Sequence, residues 1–434
     1  MDLKHIEYLS PDAWNQWHTE LLQSTLNRAY DRVSFYRKNM DDAGITPEDI
    51  NSASDMAKLP FTFRRDLSDN YPYGLFSVPL RDIVRIHTLR SGQINPIALG
   101  HTRTDLKNRQ QLTARFLSSC GVEQEDIVQI CLDPGMALHG LDMREGAELI
   151  GALVIPPDPV SPDTRVKVMV DFKSTVLITT PSHGLFLMNK IREMEIPLAS
   201  INLKRVIFLG EAISQQERER FQKELGTSTR IAYGIFEAAG PAMAGECHCH
   251  CGLHMAIDQI FPEIVDPETG APLAEGQTGE LVITTLRARA NPLIRFRTGD
   301  ITTLTKETCD CGRTTWRIAP ISGQTDQVVL IRGVRISPEQ IDNILEQAAG
   351  TAVEFLMVTK DWNHLRQMEV MVGITDALFS GCLPELHQWI RRVEELILNQ
   401  LGIPCRISPV QPSSIRPFIQ AGRRIISWEE WTRR

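Results

Sequence analysis

Two short clusters of cysteine and histidine are the part of this sequence whose residue types and spacing most directly suggest chemistry. The first runs from Cys247 to His254 and alternates cysteine with histidine, and the second is Cys309-Asp310-Cys311. Thiolate and imidazole suit zinc, and four such ligands close a tetrahedral shell that leaves no position for water. The spacing therefore predicts a structural zinc site. The alternative is a set of free thiols in a reducing compartment.

More side chains are available than a zinc ion needs. We expect His248 and His250 to face away, because side chains alternate along an extended segment. The expected ligands are Cys247, His254, Cys309 and Cys311, with Cys251 as the main substitute.

Alternating strand and helix patterns precede the first cluster. A helix is expected after Ser10 as N-cap and Pro11 in the first turn, because apolar residues then recur on one helical face. Short β-branched runs follow, separated by helical patterns, at 127–130, 152–155, 175–178, 205–209 and 230–233. This order predicts an α/β fold with a doubly wound, mostly parallel sheet.

From about residue 261 the alternating strand and helix patterns give way to strands and turns, and a further block with a different pattern begins near Gly323. Ser337-Pro338-Glu339-Gln340 reads as a capping box that opens a helix, and strands at 353–358, 368–374 and 405–410 surround a further helix. We therefore expect an N-terminal domain over 1–322, with a β-rich, zinc-bearing subdomain at about 245–322. A small, mobile α+β domain is expected over 323–434.

Composition limits the partners. The 434 residues contain 46 Lys and Arg against 54 Asp and Glu, a net charge of -8, so no global positive field would attract nucleic acid or an anionic membrane. The first residues are charged where a secretory signal is apolar, and no later run approaches a membrane span. A cytoplasmic protein is the expectation.

Four ordered motifs carry a resemblance to a known family. They are Tyr233-Gly234-Ile235-Phe236-Glu237, then 279–286, then Ile294-Arg295-Phe296-Arg297-Thr298-Gly299-Asp300, then 331–338. Together they resemble the phenylacetate-CoA ligase family of the adenylate-forming superfamily, and segments at 59–62 and 69–76 extend the similarity towards the N-terminus. The resemblance implies an enzyme that handles an activated aromatic carboxylate.

The resemblance also implies roles for individual residues. Tyr233, with Gly234, would lie against the adenine, Glu237 would hold magnesium with the phosphates, and Asp300 would bind the ribose hydroxyls. Gly323 and Asp326 occupy the family's hinge, about which the C-terminal domain is expected to rotate between two poses. The alternative is a linker with no mechanism.

The family's acyl pocket corresponds to 135–140, 180–184 and 236–240. His139 and His183 lie in these stretches and could exchange protons or contact a carboxylate. For each, the alternative is a hydrogen-bonded histidine with a structural role.

Three departures fall on the ATP machinery. The phosphate loop should follow residue 87, yet 88–96 reads Thr-Leu-Arg-Ser-Gly-Gln-Ile-Asn-Pro, in which only Arg90, Ser91 and the next glycine could help a phosphate. Gln324 replaces an arginine that contacts the nucleotide. Ala421 stands where the family has its catalytic lysine, and Arg423 or Arg424 is the nearest candidate substitute.

These departures leave three functions open. The favoured one is acyl transfer from a thioester of CoA or a carrier protein, with weak or no adenylation; ATP-Mg is then an uncertain cofactor. The second is an ATP-dependent aryl acid:CoA ligase with an unusual nucleotide site. The third is a non-catalytic ligand-binding relative. The expected partners are a small aromatic acyl substrate, a CoA thioester, and as further options an acyl carrier protein and a second copy in a homodimer.

Overall fold

The computed structural model describes residues 3–89, 95–157, 161–325, 327–362, 365–375 and 383–433. Its α-helices are α1 (Pro11–Arg32), α2 (Ser34–Asp42), α3 (Arg64–Asp69), α4 (Arg103–Ser119), α5 (Ala137–Ile150), α6 (Pro162–Asp171), α7 (Pro181–Glu193), α8 (Gln215–Leu225), α9 (Pro338–Ala349), α10 (Leu383–Leu401), α11 (Pro412–Gln420) and α12 (Trp428–Thr432). None of the described helices combines the length and the apolar composition needed to cross a membrane.

The strands cover the first half of the chain sparsely and the second half densely. They are β1 (Ile83–Leu89), β2 (Ile97–Thr102), β3 (Ile127–Cys131), β4 (Leu153–Ile155), β5 (Val176–Thr179), β6 (Arg205–Phe208), β7 (Ser228–Tyr233), β8 (Ala244–Glu246), β9 (Leu253–Met255), β10 (Ile260–Val265), β11 (Gly279–Thr285), β12 (Phe296–Thr302), β13 (Leu304–Thr305), β14 (Arg317–Ile318), β15 (Gly323–Gln324), β16 (Val329–Ile331), β17 (Val334–Ile336), β18 (Phe355–Trp362), β19 (Leu365–Gly373), β20 (Cys405–Val410) and β21 (Ile425–Ser427).

The largest sheet confirms the predicted α/β class. Its strand order is β13-β14-β9-β8-β7-β6-β5-β3-β4, and neighbouring pairs from β4 to β7 are parallel. From β7 to β13 the pairing is antiparallel, so the parallel sheet continues directly into the β-rich region. The predicted zinc ligands therefore lie at the antiparallel end of this sheet.

A second sheet, of order β10-β11-β12-β15, is antiparallel throughout. Its last strand pairs Gln324 with Asp300 and Gly323 with Ile301. The chain therefore stays attached to the N-terminal body up to Gln324, next to the predicted boundary at 322.

The C-terminal part is a four-stranded sheet of order β20-β19-β18-β21, covered on both faces. One face packs with α9 and α10 around Ile341, Phe355 and Ile397, and the other packs with α11 around Leu356 and Ile415. Its core begins at Val329 and is separate from the clusters that end at Ile318. The mixed order of helices and strands is the α+β arrangement that the sequence predicts.

Candidate functional site

Four cysteine and histidine side chains converge beyond β8 and β9. The donor atoms that lie within 4.8 Å of one another belong to Cys247, His254, Cys309 and Cys311. The Sγ atoms of Cys247 and Cys309 are 3.8 Å apart, and Sγ of Cys311 lies 3.4 Å from Nε2 of His254. A tetrahedral zinc with Zn–S bonds of about 2.3 Å separates its ligand atoms by about 3.8 Å, so this donor set fits the ion.

Neighbouring groups orient these donors. Nδ1 of His254 lies 2.8 Å from the hydroxyl oxygen of Thr315, an arrangement that leaves Nε2 for a metal. Burial, with Arg313 and Arg317 nearby, lowers the pKa of His254 to about 4, so its imidazole is neutral at physiological pH. Arg313 donates to Sγ of Cys311 and, at 2.7 Å, to Glu7, which ties the N-terminal segment to the cluster.

The remaining cysteine and histidine candidates lie outside this group. The exposed thiol of Cys251 donates to the Cys249 carbonyl at 3.2 Å. His248 is exposed, and Nδ1 of His250 accepts a hydrogen bond from Arg218 at 2.9 Å. The structure thus brings together the four expected ligands, and the substitute, Cys251, lies outside the group.

The candidate nucleotide residues lie where β7 ends beside β12. The hydroxyl of Tyr233 donates to Oδ2 of Asp300 at 2.7 Å. Burial and the adjacent Asp300 carboxylate raise the pKa of Tyr233 well above its usual value, so the phenol stays protonated. Oδ1 of Asp300 accepts from Gln324 at 3.1 Å and from Arg335 at 3.3 Å. A ribose hydroxyl bound by Asp300 would share the carboxylate with these three donors.

Arg335 is a site residue that the sequence analysis did not single out. It lies in β17, inside the motif at 331–338, and also donates to the Thr298 carbonyl at 3.0 Å. The sequence signal for Arg335 is its position within one of the motifs that carry the resemblance. What the motif does not show is that this arginine reaches from the β16–β17 hairpin to Asp300.

The segment after Tyr233 turns sharply, and glycine makes this possible. A Cβ atom on Gly234 would lie 1.8 Å from the Gly240 carbonyl oxygen. The amides of Ala238 and Gly240 both donate to the Ile235 carbonyl, which closes the turn. We call residues 234–240 the site turn.

Glu237 lies buried within the site turn. Its Oε1 is 2.7 Å from Nη2 of Arg64, at the N-terminus of α3. A carboxylate here suits magnesium chemically, although Arg64 supplies its counter-charge in this arrangement.

His139, in the first turn of α5, contacts the site turn directly. Its ring lies 5.8 Å from that of Phe236. Burial lowers the pKa of His139, so the neutral imidazole is favoured. The residue is therefore adjacent to the predicted acyl pocket.

His183 lies in the first turn of α7. Its Nε2 is 2.9 Å from Arg165, and its Nδ1 is 3.9 Å from a carboxylate oxygen of Asp133. Thr180, the N-cap of the helix, accepts from the His183 amide. Both ring nitrogens thus face charged side chains, which fits the structural alternative as well as a role in acid–base chemistry.

The β16–β17 turn docks on the N-terminal body through residues that the sequence analysis missed. The Gly333 amide donates to Oε1 of Glu211 at 3.0 Å, and Oε2 of the same carboxylate accepts from the Ser182 amide at 3.0 Å. A Cβ atom on Gly210 would lie 3.2 Å from Cα of Gly333, and one on Gly333 would lie 2.9 Å from Sδ of Met136. Close packing of small residues and one shared carboxylate therefore hold the turn.

The proposed substitutes for the missing lysine are engaged elsewhere. Ala421 is the exposed C-cap of α11. Arg423 pairs with Glu430 at 2.7 Å, and Arg424 lies 3.5 Å from Asp342 and 4.1 Å from the Phe355 ring centroid. The other predicted cofactor contacts, Arg90, Ser91 and Asp326, lie outside the described residues.

Comparison with solved structures identifies the fold. A 2-hydroxyisobutyryl-CoA ligase in complex with 2-HIB-AMP and CoA in the thioesterification state superposes with a TM-score of 0.89 at 24% identity, covering 98% of this chain and 91% of that chain. An open conformation of that enzyme gives 0.70 at 24% identity, covering 97% and 93%. The fold of this chain is therefore that of these CoA ligases.

Comparison of sequences identifies the family. A model described as AMP-binding enzyme matches residues 146–286, and one described as AMP-binding enzyme C-terminal domain matches 333–427. A phenylacetate-coenzyme A ligase of Thermus thermophilus is 31% identical over 94% of both chains, and that of Aromatoleum evansii is 32% identical over 98% of this chain and 97% of its own. This chain therefore belongs to the phenylacetate-CoA ligase family of AMP-binding enzymes.

Proposed function

We propose that this protein transfers an aromatic acyl group from a thioester of CoA or of a carrier protein to a different acceptor thiol, and that its ATP-dependent adenylation is slow. The observation that carries this proposal is the position of the catalytic lysine, where Ala421 supplies no charge and both neighbouring arginines are paired. Losing one preorganised stabilising group typically costs about 10²–10³ in rate.

The transfer needs only groups that the described residues supply. The acceptor thiol loses its proton and attacks the thioester carbonyl carbon, a new C–S bond forms, and the old C–S bond breaks as the donor thiolate leaves and takes up a proton. His139, neutral and adjacent to the site turn, is our candidate for the group that moves this proton. The aryl group would pack against Phe236 and the small residues Ala238 and Ala239.

ATP-dependent ligation of an aryl acid to CoA is the second candidate. It is favoured by the names of the relatives and by the convergence of Tyr233 and Asp300 at the end of β7. When bound, ATP with magnesium would supply the activation of the carboxylate. Tyr233, Glu237 and Asp300 would hold this group.

Three further parts of the proposal concern organisation. The cluster of Cys247, His254, Cys309 and Cys311 holds a structural zinc. The chain divides near residue 322 into two bodies, which move relative to each other between catalytic steps. The cytoplasmic location and the homodimer stay predictions from the sequence.

Acid-dependent ATP–pyrophosphate exchange over a panel of aromatic acids tests the proposal. We expect little or no exchange, together with transfer from aryl-CoA to an acceptor thiol detected by mass spectrometry. Robust exchange would instead establish the ATP-dependent ligase. Absence of both reactions would contradict both candidates.

The variant Ala421→Lys separates the contributions to slow adenylation. We expect it to restore little exchange, because in the loop at 88–96 only Arg90, Ser91 and one glycine could help to cradle a phosphate. Recovery by about 10² or more would show that only the lysine was missing.

A further inference from the structure

One buried arginine contacts the site turn from α4. Arg109 lies in α4, and its Nη1 donates to the carbonyl oxygens of Phe236 at 3.4 Å and Ala238 at 3.2 Å. Its guanidinium carbon lies 4.5 Å from the centroid of the Phe236 ring. The two carbonyls flank Glu237, so one guanidinium holds the backbone on both sides of that residue.

Asp142 holds the guanidinium in place from α5. The distance between Nη2 of Arg109 and Oδ2 of Asp142 is 2.6 Å, and the two side chains are only 8% and 5% exposed. A buried pair with one partner removed leaves an uncompensated charge, so the arginine and the aspartate depend on each other. The pair therefore connects two helices to the site turn.

The pair of Arg109 and Asp142 is tightly packed against the end of the site turn. A Cβ atom on Gly240 would lie 2.5 Å from Oδ2 of Asp142 and 2.7 Å from Nη2 of Arg109. Gly240 also has a φ of +79°, a conformation that side-chain-bearing residues rarely adopt. The end of the site turn is thus fitted against the same two side chains that fix its middle.

We propose that Arg109 is a positioning residue, which sets the conformation of the site turn and thereby the places of Phe236 and Glu237. The planar guanidinium reaches a carboxylate, two carbonyls and an aromatic face at once. A lysine would keep the charge beside Asp142 but could not make this set of contacts. The expected effect of Arg109 on turnover rests on the proposed function, whereas its expected effect on the conformation of the site turn does not.

The same helix provides a matched control. Arg115, also in α4, pairs with Asp258 at 2.6 Å and lies 3.5 Å from Glu7, and its side chain is 17% exposed. It has no hydrogen bond to residues 234–240 among those the structure describes. Arg109→Lys and Arg115→Lys therefore each weaken a buried ion pair, but only the first loosens the site turn.

Hydrogen exchange measured by mass spectrometry on peptides covering 233–240 is the primary test. We expect Arg109→Lys to speed exchange of the Ala238 and Gly240 amides about 10-fold and Arg115→Lys to leave it within about twofold of the parent. Equal exchange in Arg109→Lys and the parent would overturn the proposal. Equal acceleration in both variants would also overturn it, because the effect would then be general loosening.

Turnover provides the second test. We expect kcat/KM for aryl transfer from aryl-CoA to fall about 10²-fold in Arg109→Lys, with methylguanidine partly restoring it in Arg109→Ala, and to change little in Arg115→Lys. A parent protein without transfer activity would contradict the proposed function and leave the exchange result to decide the role of Arg109. An active Arg109→Lys with faster turn exchange would show that the turn's conformation does not limit transfer, which overturns the catalytic part.

Discussion

A buried histidine in the first helix connects the stability of the protein to pH. His18 is 1% exposed, stacks on Trp14, and its Nε2 lies 2.9 Å from the Ile257 carbonyl oxygen. Burial lowers the pKa of His18 from 6.5 to about 4. Between these values the unfolded chain binds a proton that the folded chain excludes.

We therefore expect the contribution of His18 to stability to be fully present above pH 6.5 and to be lost as pH falls towards 4, by about 3 kcal/mol in total. Urea unfolding at pH 7, 6 and 5 measures this loss. His18→Gln should flatten the pH dependence, whereas His387→Gln, at an exposed position in α10, should not. An unchanged slope in His18→Gln would contradict the assignment.

The zinc cluster gives a second prediction about single residues. We expect about one zinc per purified chain, and more than about 100-fold weaker retention in Cys309→Ser, because a buried ligand is lost. Elemental analysis after dialysis against a chelator measures it. Cys251→Ser is the matched control and should keep the metal, since that thiol lies outside the group. A folded parent without zinc would contradict the site.

At the scale of elements, the docking of the β16–β17 turn depends on one carboxylate. Glu211 accepts from Gly333 and from Ser182, so its two oxygens link the turn to the N-terminus of α7. Glu211→Gln keeps one acceptor oxygen and replaces the other with an amide that donates. A hydrogen bond to a charged group contributes about 1.5–3 kcal/mol, so about 10-fold more of the protein should be undocked.

Limited proteolysis between residues 325 and 328 measures this change. We expect cutting to be about 10-fold faster in Glu211→Gln and unchanged in Glu217→Gln, whose side chain belongs to the capping box of α8. Equal rates in Glu211→Gln and the parent would show that this contact does not hold the turn.

The elements also show how much of the fold can be predicted from the sequence. The helix capped by Ser10, the capping box at Ser337 and the strand at 405–410 all depend on neighbouring residues, and the structure confirms them. Arg109 and Phe236 are 127 positions apart, and Gly333 and Glu211 are 122 apart. Contacts of this kind depend on how whole elements pack, which local patterns do not contain. The convergence of Cys247, His254, Cys309 and Cys311 was predictable because clustered cysteine and histidine are unusual enough to be recognised at a distance along the chain.

At the scale of the molecule, the hydrophobic clusters of the N-terminal part are separate from those of the C-terminal part, and polar contacts between described residues join the two parts. Besides Glu211, Arg335 crosses to Asp300, and Arg332 lies 4.0 Å from Asp133. These contacts, with the close packing at Gly210 and Gly333, would have to break if, as we propose, the two parts change their relative position between catalytic steps.

Ligand-dependent melting of the full chain distinguishes the three functions that the sequence leaves open. A ligand that binds only the folded protein stabilises it by RT ln(1 + [L]/Kd), about 2.7 kcal/mol at 100 Kd. Because the ATP machinery lacks its lysine at Ala421 and has Gln324 beside Asp300, we expect aryl-CoA to raise the melting temperature more than ATP-Mg. A larger shift with ATP-Mg than with aryl-CoA would favour the ATP-dependent ligase. Equal shifts with the aryl acid alone and with aryl-CoA would favour a ligand-binding relative, because the thioester would then add nothing to recognition.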